Sequence, residues 1–165
     1  MLAFPAACDR RPSSKAETLR AYPLDSLEGI VTLAGAAYDS LQSTDGRGSL
    51  RYEVKAPTTI RLVEVKDPGV EAAVLYYRAA LRVQDFEGKA YLEMWVRVPG
   101  MGEFFSKGFQ STLSGTSGWM SVEIPFVLRE GQRPDLVKLN VVADGTGTLW
   151  VDDLRLLAGE LPPQP

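Results

Sequence analysis

The stretch that decides the fold is GTGTLWVDDLRLL, residues 145–157 of this 165-residue chain. Turn-forming glycines come first, an apolar strand-forming run follows, and the adjacent acids Asp152 and Asp153 interrupt that run before leucines resume it. The pattern predicts the closing strand of a β-sandwich. Because neighbouring side chains on a strand point to opposite faces, one acid must point inward or toward a strand end, where it needs hydrogen bonds, a cation or water.

The composition fits one globular domain and excludes several classes of function. Hydrophobic residues make up 45% of the chain, charged residues 24%, and the net charge is −3. This balance does not supply the concentrated basic surface that nucleic-acid binding requires. The chain has no histidine, the commonest general base and metal ligand, so serine triads and zinc-dependent hydrolysis are excluded.

Alternation of apolar and polar residues predicts β-strands along most of the chain. It is clearest at residues 74–83 and 90–98, where every second side chain is apolar. Further strands are predicted at residues 30–33, 50–54, 58–65, 104–109, 120–128, 137–143 and 148–157. Helical periodicity is lacking, and about nine or ten short strands at this spacing are typical of a sandwich or barrel.

Residues 1–21 are predicted to form an N-terminal tail followed by a charged linker. The sequence Ala6-Ala7-Cys8 resembles the end of a bacterial lipoprotein signal, which implies a lipidated Cys8 and a protein tethered outside the cytoplasm, in the periplasm or at the cell surface. Pro5 departs from that pattern, and the alternative is a tail with a chance cysteine. No stretch has the ~20 apolar residues of a membrane span, so a lipid anchor is the only membrane attachment expected.

Two motifs resemble one family of folds. The turn STDGRGSL at residues 43–50 and the ending TLWVDDLRL at 148–156 are similar to the galactose-binding-like jelly rolls common among carbohydrate-binding modules. The resemblance implies an all-β, antiparallel jelly-roll sandwich over residues 22–157, with residues 158–165 as a C-terminal tail. It also implies a non-catalytic domain that binds a neutral or weakly acidic glycan.

The same resemblance implies a structural calcium ion beside the closing strand. It brings Asp152 or Asp153 near the N-terminal turns, where Asp25, Glu28 and Asp45 are available as partners. Carboxylate and carbonyl oxygens are the ligands that calcium prefers. The alternative is that Asp45 is an ordinary turn residue and that the acid pair caps loop amides.

The polar sides of the two clearest strands form the candidate ligand surface. An aromatic ring covers the apolar C–H face of a sugar, while charged side chains bond to its hydroxyls. The residues of this surface are Tyr91, Glu93, Trp95 and Arg97, joined by Tyr76, Arg78 and Arg82 if the two strands are neighbours. Alternatively, these side chains pack under a loop or pair in solvent. Trp119 is expected at the edge of the core.

Two other functions remain open. A glycosidase needs a pair of carboxylates, and Glu93 and Glu123 are candidates for one cleft, although arginines on the same surface indicate that these acids are paired with cations. We therefore expect no enzyme. The second alternative is a structural or protein-interaction domain whose partner is a cell-surface protein rather than a glycan.

Overall fold

The computed structural model describes residues 15–164, and this part of the chain contains nine antiparallel β-strands and no helix. The predicted all-β fold is therefore confirmed. No helix in residues 15–164 is long and apolar enough to cross a membrane. The strands are β1 Glu17–Tyr22, β2 Ala36–Asp39, β3 Ser49–Val54, β4 Thr58–Lys66, β5 Ala73–Val98, β6 Gly102–Lys107, β7 Leu113–Gly115, β8 Met120–Val127 and β9 Leu136–Glu160.

Two long strands, β5 and β9, pair along almost their whole length. Each was predicted as two shorter strands, which the structure joins through an irregularity in the ladder between Gln84 and Glu87. Gly88 and Gly145 cross there so closely that a Cβ on either would collide with the opposite backbone. Gly145, which the sequence presented as a turn residue, therefore lies inside the continuous strand β9, where it lets two backbones approach.

This junction divides the molecule into two layers. In the first layer, residues 73–84 of β5 and 147–160 of β9 lie between β8 on one side and β1 and β3 on the other, with β2 beyond β3. In the second layer, residues 90–98 of β5 and 136–143 of β9 lie between β6 and β4. Inward side chains of both layers, such as Tyr77 and Leu92, share one hydrophobic core.

Two predicted strands differ from the structure. Residues 30–33 form no strand: the amides of Val31 and Thr32 donate to β4 carbonyls at 3.0 and 2.8 Å, but the chain then turns away through Gly35, so no ladder forms. The strand predicted over 104–109 ends at Lys107: the Gly108 amide still donates to the Leu92 carbonyl of β5 at 2.8 Å, but the chain then turns, and the Ser111 amide donates back to the Gly108 carbonyl at 3.1 Å.

The sheet also extends beyond both predicted boundaries. Residues 17–21, predicted as linker, belong to β1, which pairs with β9 from Glu17 opposite Ala158 to Tyr22 opposite Leu154. The polar composition of β1 suits an edge strand, which is held by backbone hydrogen bonds and needs no strict alternation. β9 likewise continues to Glu160, into the predicted C-terminal tail. The predicted lipidation site, Cys8, lies outside the described residues.

Candidate functional site

Three carboxylates from distant parts of the chain meet at one edge of the first layer. Asp25 lies after β1, Asp45 lies between β2 and β3, and Asp152 lies in β9. One oxygen of each lies within 4.8 Å of an oxygen of the other two. The structure thus brings together three of the four acids predicted as metal ligands, and Glu28 is not part of the group.

Asp152 holds the β2–β3 loop, residues 40–48, against the sheet. Its Oδ2 accepts hydrogen bonds from the Thr44 amide at 2.8 Å and the Thr44 hydroxyl at 2.7 Å, and its Oδ1 accepts from the Asp153 amide at 2.9 Å. Burial raises the pKa of Asp152, and the charge of Asp45 adds to that rise, while the hydrogen bonds from Thr44 and Asp153 oppose it. The carboxylate is therefore buried beside like charge.

The three-acid group fits a hard cation. Asp25 Oδ1 is buried and has no hydrogen-bond partner in the described part of the chain, which leaves an acceptor free for an ion. Calcium takes six to eight oxygens, so carboxylates of Asp25, Asp45 and Asp152 would supply part of its shell and loop carbonyls or water the rest. A positive charge here would also relieve the repulsion between Asp45 and Asp152.

Asp153, the fourth predicted ligand, is placed elsewhere. Its φ of 46° puts it in the left-handed region, at a register shift in the ladder where Arg78 pairs with Arg155 and Ala80 pairs with Asp152. The extra residue turns its side chain away from the acid group. Its Oδ1 accepts a hydrogen bond from Arg155 Nε at 2.9 Å. The two adjacent acids therefore have different places: Asp152 is buried in the acid group, and Asp153 lies at a β-bulge.

The outer surface of the second layer forms a second candidate site, which we call the aromatic face. It contains an open groove of about 320 Å³ that lies across β4, β9, β5 and β6. The groove is lined by Thr59, Arg61, Glu93, Trp95, Glu103, Lys138 and Asn140. Two of the predicted ligand-binding residues, Glu93 and Trp95, therefore lie in the same depression.

A buried polar pair forms the floor of this groove. Glu93 is only 5% exposed, and its Oε1 accepts a hydrogen bond from Asn140 Nδ2 at 3.0 Å. Its Oε2 lies 3.5 Å from Lys107 Nζ. Asn140 Oδ1 is buried and has no hydrogen-bond partner among residues 15–164. Because packing fixes both side chains, they form a pre-oriented polar floor at the base of an open groove, with Glu93 Oε2 as its free acceptor.

Two aromatic pairs flank that floor. Trp95 and Phe105 have ring centroids 5.1 Å apart, and Tyr91 and Phe109 have centroids 5.0 Å apart. Phe105 is 55% exposed and Phe109 65% exposed, whereas Tyr91 is only 8% exposed. Phe109 thus covers most of Tyr91, a predicted ligand contact, and is the ring of this pair that faces solvent. Since Tyr91 and Trp95 are four residues apart on one strand, the two pairs lie about 13 Å apart.

Sequence reasoning missed Phe105, Phe109 and Asn140. The two phenylalanines stood in a predicted strand, where alternation alone does not show that both rings reach the outer surface. Asn140 lies in the strand predicted at residues 137–143, where alternation shows only which side it faces. The available signal was the density of aromatic residues in GEFFSKGF, residues 102–109.

The remaining predicted ligand-binding residues are not in the groove. Residues 74–83 and 90–98 are successive halves of β5, not neighbouring strands, so Tyr76, Arg78 and Arg82 belong to the first layer. There Arg78 Nε donates to Glu123 at 2.8 Å. Arg97, beyond the groove, donates to both Asp135 carboxylate oxygens, at 2.8 and 3.1 Å.

The two acids considered for catalysis do not share a cleft. Glu93 lies in the groove of the aromatic face, whereas Glu123 lines a separate cavity of about 470 Å³ between β8 and the chain that follows β6. Each carboxylate lies beside a cation, Lys107 for Glu93 and Arg78 for Glu123. This arrangement offers no pair of carboxylates on either side of one scissile bond. Trp119 is half-buried in the loop before β8.

The fold is that of the jelly-roll carbohydrate-binding modules. No protein-family model and no curated protein matches the chain in sequence. In structure it is similar to the CBM22-1 xylan-binding domain of Paenibacillus barcinonensis Xyn10C, with TM-score 0.61, 12% identity and 89% of this chain aligned with 97% of that one.

Two further solved structures have the same fold. The C-terminal family 22 carbohydrate-binding module of Clostridium thermocellum Xyn10B gives TM-score 0.54 at 12% identity, over 92% of this chain and 96% of that one. A family 16 carbohydrate-binding module gives TM-score 0.50 at 10% identity, over 75% of this chain and 86% of that one. All three are binding modules, and the predicted galactose-binding-like jelly roll is confirmed.

Proposed function

We propose that this protein is a non-catalytic carbohydrate-binding module whose ligand binds at the aromatic face. The observation that carries the proposal is an open groove with a buried polar floor, which is lined by Trp95 and flanked by the exposed ring of Phe105. Phe105 and Trp95 offer apolar surface for the C–H face of a sugar ring, and the Glu93 carboxylate, held by Asn140, offers an acceptor for its hydroxyls. The shared fold supports this function without selecting a ligand.

The charges of the face favour a neutral glycan. Lys138 Nζ lies 3.1 Å from Glu103, and Arg61 lies 3.2 Å from Glu64. Lys107 and Arg97 lie beside carboxylates in the same way. Because each of these cations already has an acidic partner, the face presents no surplus positive charge to an acidic polymer.

The separation of the two aromatic pairs indicates an oligosaccharide. A ligand that touches both Phe105 and Phe109 has to extend about 13 Å along β5. This exceeds the length of a single pyranose ring. The site therefore suits a stretch of several linked sugars rather than one terminal sugar.

The proposal is tested by affinity electrophoresis against soluble neutral polysaccharides, xylan included. Migration of the wild-type protein should be retarded by at least one of them, and Phe105→Ala should lose most of that retardation with an unchanged unfolding midpoint. Phe104→Ala is the matched control, because Phe104 lies on the opposite side of β6 and packs toward Phe126 with ring centroids 6.4 Å apart.

Two results would overturn the proposal. One is retardation that is equal in wild type and in Phe105→Ala. The other is no retardation by any glycan together with capture of a specific protein, which would support the alternative of a protein-interaction domain. An exposed ring such as Phe105 also suits a protein partner, but the buried acceptors of the groove favour a hydroxyl-rich ligand.

We also propose that calcium binds Asp25, Asp45 and Asp152 as a structural ion. The support is the convergence of three carboxylates and the buried, unpartnered Asp25 Oδ1. The ion would join the loop after β1 to the β2–β3 loop and to β9. It would therefore act on stability rather than on glycan contact.

The localisation of the protein outside the cytoplasm and the lipid anchor on Cys8 stay predictions from the sequence. In the proposal they would hold a glycan-binding domain close to the cell surface. Labelling with a fatty-acid analogue tests the anchor: wild type should incorporate the label and Cys8→Ser should not. Equal incorporation by both proteins would rule the anchor out.

A further inference from the structure

Lys107 lies beside two of the groups that the proposed function assigns to sugar contact, Glu93 and Phe105. Its Nζ lies 3.5 Å from Glu93 Oε2 and 5.1 Å from the centre of the Phe105 ring. Both contacts are within the range of a charge pair and a cation–π interaction. One ammonium group therefore lies over a buried acceptor and an exposed ring beside the groove, which are the two kinds of group that a sugar needs.

Lys107 can leave this position without disturbing the floor of the groove. It is the last residue of β6, and a flexible four-carbon stem carries its charge. Glu93 stays held when the ammonium moves, because Asn140 Nδ2 donates to its other oxygen. Phe105 stays held by its contact with Trp95. The lysine is thus the mobile member of an otherwise fixed arrangement.

We propose that Lys107 is an internal competitor of the glycan, which must withdraw from Glu93 and Phe105 before a neutral sugar can bind there. This inference rests on the proposed function and assigns to Lys107 a role in setting affinity. When the ammonium withdraws, Glu93 Oε2 accepts from a sugar hydroxyl and the freed ring face receives the C–H surface of the same sugar. A part of the binding free energy is then spent on breaking the lysine contacts.

Removal of the positive charge should therefore strengthen binding. A partly exposed ion pair and a cation–π contact are weak, so we expect Lys107→Met to bind a neutral oligosaccharide about two- to tenfold more tightly than wild type. Methionine keeps the apolar stem but has neither the charge nor the donors. If Lys107 instead donated a hydrogen bond to the sugar, the same substitution would weaken binding.

The experiment is isothermal titration calorimetry with a neutral oligosaccharide, prepared from whichever polysaccharide retards the protein most. Lys107→Met should show the two- to tenfold tighter Kd. Lys89→Met, which removes an exposed charge from the junction between the layers, should bind as wild type does. Raising the salt concentration should strengthen wild-type binding, because salt weakens the Lys107–Glu93 pair, and should leave Lys107→Met unchanged.

The outcomes separate this inference from the proposed function. If Phe105→Ala loses glycan binding while Lys107→Met binds equally or more weakly than wild type, the function stands and the competitor role is wrong. If no glycan binds to wild type or to Lys107→Met, both fail. Unfolding midpoints of all variants exclude misfolding, and Lys107→Gln provides a second neutral side chain in case methionine packs onto Phe105.

Discussion

Trp95 and Trp150 both lie on the outer side of a long strand, yet their surroundings differ. Trp150, in the first layer, is 5% exposed, its Nε1 donates to Asp39 Oδ2 at 2.9 Å, and the Arg82 guanidinium lies 5.2 Å from its ring. Trp95, in the second layer, is half-buried, packs against Phe105 and lines an open groove. An outward tryptophan can therefore reach a ligand only where no other segment covers it.

The covering segment of the first layer is the β2–β3 loop. Gln42 in that loop accepts a hydrogen bond from Arg82, and Thr44 donates to Asp152. The groove of the aromatic face is open instead, and the rings beside it, Phe105 and Phe109, are exposed. One outer surface is thus covered and contributes to stability, whereas the other is open, and it is there that we propose ligand binding.

The largest expected effect concerns stability. Trp150→Ala should lower the free energy of unfolding by about 3–5 kcal/mol, because it empties a covered site and leaves Asp39 without its donor. Trp95→Ala should lower it by less, about 1–2 kcal/mol, because part of the side chain is already exposed to solvent. Urea unfolding of both variants measures the difference. Equal losses would show that the aromatic face is as structural as the covered surface.

Alternation predicted these two surfaces only in part. It placed Glu93 and Trp95 on the outer side of β5, where the structure has them, and the resemblance named Asp25, Asp45 and Asp152, which the structure brings together. Alternation did not show that the strands predicted at residues 74–83 and 90–98 are halves of β5. The two halves are joined where Gly88 and Gly145 make a contact between backbones. Alternation of side chains gives no signal for such a contact.

The residues that distinguish the two surfaces were less predictable. Phe109 covers Tyr91 from a loop, and the β2–β3 loop covers Trp150, and both contacts join residues that are distant in sequence or outside regular strands. Edge strand β1 was missed for a related reason, since its backbone pairing with β9 leaves no alternating pattern. Local pattern fixes which side a residue faces, and tertiary packing decides what covers it.

The second expected effect is the response to calcium. An ion that binds only the native state raises stability by RT ln(1 + [L]/Kd), about 2.7 kcal/mol at a hundredfold excess over Kd, or roughly 5–10 °C in the unfolding midpoint. Calcium should raise the midpoint of wild type, and Asp45→Asn should remove most of that rise. Asp45 is the suitable ligand to change, because it is exposed whereas Asp152 also holds Thr44.

Asp153→Asn is the matched control for that measurement. Asp153 is adjacent to Asp152 but pairs with Arg155, so its variant should keep the whole calcium response. Thermal unfolding is followed on metal-free protein with calcium or with chelator. A midpoint that is the same in both solutions would mean that Asp152 only bonds loop amides, which was the alternative from the sequence.

The smallest expected effect is a dependence of the free energy of unfolding on pH, which should again differ between the two layers. The hydrogen bond from Trp150 Nε1, together with the Leu41 amide and the charge of Arg51, lowers the pKa of Asp39. A carboxyl group with a depressed native pKa contributes stability above its unfolded pKa, near 4, and loses it as pH falls through the native value. Asp39→Asn should therefore be less stable than wild type by about 1 kcal/mol at pH 7.

That difference should shrink as pH falls below about 4, because Asp39 then becomes neutral like asparagine. Asp135 on the second layer provides the contrast. Arg97 lowers its pKa too, but this pair is exposed, so 1 M salt should remove any stability difference between wild type and Asp135→Asn while that of Asp39→Asn persists. Urea unfolding from pH 2.5 to 7, at low and high salt, measures both. A deficit of Asp39→Asn that stays constant over this range would show that Trp150 is held by packing alone.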